Sequence, residues 1–144
     1  MKIFNEYKNQ IINQIGNKIT TNDQLNVLAH KLIGVRFKGV FSVDTIPLHK
    51  NGMYIINNQS AGMPGEHWVA VLVTVKKVYI FDSFGRKSKA LLPILIKSAK
   101  LINKKVVDTD YDVDQTISSA VCGQLSISWL LVAKQLGISN ALKV

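Results

Sequence analysis

The amino-acid sequence predicts one domain of the α+β class. Helical spacing precedes position 34, consecutive strand-like apolar runs fill the centre, and a long apolar helix comes near the end. The first helix falls near Glu6–Ile15, where Tyr7, Ile11, Ile12 and Ile15 recur at helical intervals and Gly16 is a stop. Thr21 or Asn22 can cap a second helix running to Leu32 or Ile33, ended by Gly34. Its apolar residues Leu25, Leu28, Ala29 and Leu32 share one face.

Gly39 to Asp44 reads as a short extended or turn segment, and Met53 to Asn57 as a strand. Gly62, Pro64 and Gly65 mark Asn58 to Gly65 as a loop. His67 to Val75 is almost wholly apolar and β-branched, the pattern of a strand buried on both faces. Lys76-Lys77 fits a tight turn into a further strand, Val78 to Phe81, which Asp82-Ser83-Phe84-Gly85 leaves. Leu91 to Ile102 has helical spacing, with Lys97, Lys100 and Lys104 on one basic side. Val106 to Gln115 alternates as a strand, placing Asp108, Asp110, Asp112 and Asp114 toward water and Gln115 with the apolar residues. A calcium loop does not fit this acidic run, because Val113 stands at the turn-glycine position and Ser119 at the bidentate-acid position. Cys122 to Leu136 is a helix with a broad apolar stripe, a stop at Gly137 and a cap at Ser118 or Ser119.

Of the 144 residues, 47% are apolar and 19% charged, a globular composition with no run long enough to span a membrane. The opening residues lack the apolar stretch of a signal peptide, so the expectation is a soluble intracellular protein. Cys122 is the only cysteine, which excludes an internal disulfide and a multi-cysteine metal site. The net charge is +9, and nine Lys or Arg residues but one acid, Asp82, lie between Lys76 and Lys105. Such a field attracts nucleic acid, anionic membrane or acidic protein.

A lone cysteine is usually a small buried hydrophobe. Cys122 differs because it opens a helix, where unpaired N–H groups and the helix dipole favour a thiolate, and Gly123 leaves room beside it. His67 stands where a loop enters a strand, anchored yet accessible; His30, in a helix, and His49, in a polar loop, suit residues without a role. If the two central strands form a hairpin, Asp82 lies at the same end of the sheet as His67 and can orient its imidazole. Gln115, seven residues before Cys122, can donate to a developing oxyanion together with the Cys122 N–H.

The set Gly65-Glu66-His67-Trp68, Phe81-Asp82-Ser83-Phe84-Gly85 and Gln115-x6-Cys122-Gly123 resembles the adenovirus protease (adenain) family in order and spacing. Phe37 to Asn58 is also similar to the region before the histidine in that family, so the resemblance covers roughly Gly34 onward. It implies a mostly antiparallel sheet packed by the nucleophile helix and flanking helices. It implies His67 as base, Asp82 as orienter, Gln115 as oxyanion donor and Cys122 as nucleophile. It also implies a cysteine endopeptidase of virion maturation, acting in the virion and host-cell interior on capsid or core precursors, beside small residues such as glycine.

The expected chemistry needs no cofactor, and the expected state is a monomer without membrane contact. DNA, held through Lys97, Lys100 and Lys104, is the candidate activating surface. Asp82 replaces the glutamate common in adenovirus enzymes, and Asp82-Ser83 is similar to ubiquitin-like-protein proteases, so removal of such a modifier is the alternative reaction. A non-catalytic basic nucleic-acid-binding module is the alternative without chemistry. The second cysteine that adenovirus proteases use to tether a peptide is absent, which argues against that mode of activation.

Overall fold

A computed structural model describes residues 2–18, 21–59, 67–109 and 121–144. Two helices come first, α1 (Lys2–Ile15) and α2 (Asn22–Ile33). Strands β1 (Phe37–Ser42), β2 (Gly52–Asn57), β3 (Trp68–Val73) and β4 (Lys77–Phe81) follow. Next come α3 (Ser88–Leu91), α4 (Pro93–Leu101), β5 (Lys105–Asp108), α5 (Cys122–Leu136) and α6 (Ile138–Ala141).

The strands form one sheet in the order β1-β2-β3-β4-β5. β2/β3 and β3/β4 are antiparallel, whereas β1/β2 and β4/β5 are parallel. The sheet is therefore mixed, not mostly antiparallel as the resemblance implied. The reason lies in the connections at its two margins. Segment 43–51 buries Val43 and Leu48 against one sheet face before β2 begins, and α3 with α4 cross over before β5. Crossovers return the next strand in the same direction, whereas a tight turn reverses it. The turn after β3 is tight: the Thr74 N–H donates to the Lys77 carbonyl at 2.9 Å.

Both faces of the sheet are covered, which is why its central strands are apolar throughout. On one face Met53, Ile55, Trp68, Ala70, Leu72, Tyr79 and Phe81 pack with α1, α2, α5 and α6. On the other Tyr54, Ile56, Val69, Val71, Val73, Val78 and Ile80 pack with Leu92, Leu95 and Ala99. The alternation follows the two-residue period of a pleated strand. Each large apolar side chain so buried contributes about 1.5–3 kcal/mol relative to exposure. α5 is buried from Cys122 through Ala133, so it is a central helix and not a surface one. Trp129 within it stacks on Phe81, with ring centroids 5.6 Å apart, and its Nε1–H donates to the Ala141 carbonyl at 2.9 Å.

Local signals set most helix ends. Thr21 and Gln24 form a reciprocal capping box at α2, and Gly34 ends it at φ 85°. Pro93 splits the expected Leu91–Ile102 helix, starting α4 as its first-turn residue. α4 ends at Leu101, so Lys104 lies beyond it rather than on its basic side; Lys104 Nζ instead donates to Asn51 Oδ1 at 3.4 Å. Val121, not a serine, occupies the cap position of α5, with no side-chain cap bond. Within the predicted acidic strand, Asp108 is half-buried and accepts the Ser88 N–H at 3.0 Å, so it serves the start of α3 rather than facing water. Asp110, Asp112 and Asp114 lie outside the described residues.

Candidate active site

The antiparallel β3/β4 register pairs Ala70 with Phe81. His67, just before β3, and Asp82, just after β4, therefore meet at one end of the sheet. The α5 helix packs on β3 and brings its first residue, Cys122, to that same end. The Trp68 N–H donates to Cys122 Sγ at 3.3 Å. Ser126 Oγ, one helical turn on, donates to the Cys122 carbonyl at 2.8 Å and reaches the Trp68 carbonyl at 3.4 Å. Strand and helix are thus tied at the residues flanking the sulfur.

All three groups are buried: His67 is 4% exposed, Asp82 3% and Cys122 5%. His67 was expected to be accessible; the Phe84 ring, stacked on the imidazole at 4.8 Å and 12°, is one side chain that covers it. Asp82 Oδ1 accepts from His67 Nε2 and from the Phe84 N–H at 3.2 Å. Oδ2 accepts from the Arg86 N–H and from Arg86 Nε, each at 3.0 Å. Every face of the carboxylate has a donor, as a buried charge requires.

With Nε2 donating to an anion, the neutral imidazole carries its proton there and presents Nδ1 as acceptor. Among the described residues the buried Nδ1 has no hydrogen bond of ordinary geometry, and the Cys122 thiol acts on the ring electrostatically. Burial opposes a charge on His67, but Asp82 and Cys122 together outweigh it and raise its pKa above the ordinary histidine value. Burial likewise disfavours the Asp82 carboxylate, but His67, Arg86 and the Phe84 N–H overcome that cost and hold its pKa below the usual range.

Of the expected site residues, His67, Asp82 and Cys122 converge; Gln115 lies outside the described residues. Sequence reasoning missed Phe84, Arg86 and Ser126. The signal for Arg86 was present: an aspartate that opens a turn binds N–H groups within the next few residues, and Gly85 at φ 66° permits the bend. Lys97 and Lys100 are exposed on α4. Among the described residues no cluster of His, Cys, Asp and Glu could hold a metal ion, and no helix is long and apolar enough to cross a membrane.

No family model and no curated protein matches the chain. Among solved structures it is similar to "AvrA delL154 with IP6, CoA", at 18% identity and a TM-score of 0.46, over 99% of this chain. The chain spans about 64% of that structure's length. A likeness of this depth leaves the chemistry to be read from the side chains themselves.

Proposed function

We propose that the chain is a cysteine endopeptidase with an adenain-like fold, in which Cys122 is the nucleophile, His67 the general base and Asp82 the residue that orients it. One arrangement carries this reading: Asp82 engages Nε2 of His67, Nδ1 has no hydrogen-bond partner of ordinary geometry among the described residues, and the Cys122 thiol acts on the same ring. Most buried polar side-chain atoms in folded proteins have a partner, so a free ring nitrogen facing a thiol suits a proton acceptor.

In the proposed reaction the Cys122 proton passes to His67 Nδ1, and the sulfur attacks the carbonyl carbon of a peptide bond. A C–S bond forms and the tetrahedral intermediate carries an oxyanion. The N–H groups at the start of α5 have no partner within the helix and suit that oxyanion, with Gln115 as the side-chain donor. His67 then gives its proton to the leaving amine as the C–N bond breaks. Water, deprotonated by His67, cleaves the thioester and restores the thiol. The scheme requires no cofactor.

The sequence resemblance supports precursor proteins of a viral capsid or core as substrates, cut beside small residues inside the virion or infected cell by a monomer. The same reading assigns DNA to the exposed cations, with Lys97 and Lys100 as its first contacts. Removal of a ubiquitin-like modifier is the rival reaction, favoured by the Asp82-Ser83 pair. The deciding experiment incubates the protein with candidate precursors and with modifier conjugates, then maps new termini by mass spectrometry. Cuts beside glycine in precursors, absent with Cys122→Ala, are the expected result. Cleavage confined to conjugates favours the rival, and cleavage of neither alongside an inert Cys122 thiol overturns the enzymatic reading.

A further inference from the structure

Resting on the reading of His67 as base to Cys122, we infer that Arg86 is a positioning residue: its guanidinium, fastened to Asp82 and laid over Phe84, sets where the imidazole sits and how tightly it holds its proton. Three contacts converge on this side chain. Arg86 Nε donates to Asp82 Oδ2 at 3.0 Å. Its guanidinium carbon lies 5.2 Å from the centroid of the Phe84 ring. That ring stacks on His67, and the carboxylate it grips accepts from His67 Nε2. One cation thus reaches the imidazole by two routes, one electrostatic and one steric.

The turn does not need this side chain to hold its shape. Backbone N–H groups of Phe84 and Arg86 already bind the carboxylate, and the Gly85 N–H closes onto the Asp82 carbonyl at 2.9 Å. The guanidinium adds charge to a turn already closed. Its side chain is 44% exposed, so it can be shortened without opening the core, while the Asp82 side chain is 1% exposed. Lysine is not equivalent, because it lacks the planar Nε donor and covers an aromatic ring less well.

Among the described residues, the charged and titratable groups acting on His67 are Asp82 and Cys122, and those acting on Asp82 are His67 and Arg86. The sign follows. Arg86 offsets part of the carboxylate's negative field at His67. Without it the imidazolium faces an uncompensated anion and keeps its proton to higher pH. Partial exposure screens the effect, so it is modest.

The test is an NMR titration of the His67 ring in the full chain, paired with the pH profile of Cys122 alkylation by iodoacetamide. In Arg86→Met, the titration of His67 and the upper step of the alkylation profile move up together by about half a pH unit. Arg86→Lys, which keeps the charge, moves less; it also provides the readout should Arg86→Met melt early. Titrations of both variants that superimpose on the wild type would reduce Arg86 to a surface residue and overturn the inference. A separate control guards the underlying reading: if His67→Ala leaves wild-type alkylation unchanged, His67 is not the base, whatever Arg86 does.

Discussion

The two ends of the central strands treat charge in opposite ways. At one end His67, Asp82 and Cys122 are buried, and the carboxylate is wrapped by His67, Arg86 and two backbone N–H groups. At the other end begin β1, β2, β4 and β5 and ends β3, and there Arg36, Lys38, Lys50, Lys76, Lys77 and Lys105 are exposed. Surface cations keep their hydration and cost the fold almost nothing. A buried carboxylate is retained only where many donors are arranged around it, and that arrangement is what gives a histidine a fixed tautomer. The difference sets an oriented histidine and a buried thiol at the first end against exposed, solvated cations at the second.

The largest expected effect breaks the first end outright. Cys122→Ala abolishes peptide hydrolysis and leaves the far-UV circular dichroism spectrum native, because alanine fits the space of a small buried thiol. Residual turnover at wild-type rate would remove Cys122 from the chemistry. Asp82→Asn comes next. The neutral amide can no longer favour the imidazolium and presents either a donor or an acceptor to Nε2, so kcat/KM falls by about 10²–10⁴-fold. A loss below about tenfold in a folded variant would show that Asp82 only holds its turn.

How much of this end could be read from the sequence depended on which forces set it. His67, Asp82 and Cys122 were readable because a hairpin and a helix start place residues by local rules. The apolar run after His67 correctly indicated a strand covered on both faces. Parallel pairing at the margins was not readable, since it depends on where long connections return. The half-burial of Asp108 was hidden for a similar reason: its partner, the Ser88 N–H, lies 20 residues away. Arg86 and Phe84 act through side chains packed around a turn, which spacing alone does not reveal.

A smaller effect is the pH dependence of stability. The Asp82 pKa is depressed on folding, so its contribution is present above the unfolded value of 3.8 and is lost as pH falls through the lower folded value. The His67 pKa is raised, so its contribution is full below 6.5 and is lost as pH rises through the higher folded value. Chemical denaturation should therefore show the largest stability gap between wild type and Asp82→Asn between these two limits. The gap narrows toward both acid and alkaline pH. A gap independent of pH would mean that the pair contributes packing rather than charge.

The smallest effect belongs to the basic end, and its sign is informative. Lys77 on β4 stands in register with Lys105 on β5, and both are exposed. Like charges on neighbouring strands repel weakly, so Lys77→Glu replaces a repulsion with an attraction. The expected result is a gain of about 0.2–0.5 kcal/mol, read by denaturant midpoint at low salt and shrinking as salt rises. Hydrolysis by Cys122 is unchanged, because the substitution lies at the opposite end of the strands. If DNA contacts this edge, the same variant lowers its affinity and flattens the salt dependence, since one phosphate contact is lost. A destabilisation above about 1 kcal/mol would contradict the contrast between the ends, because surface substitutions away from special features rarely exceed about half that. It would mean that the cations of this edge are held in specific structure, as the chemical groups at the other end are.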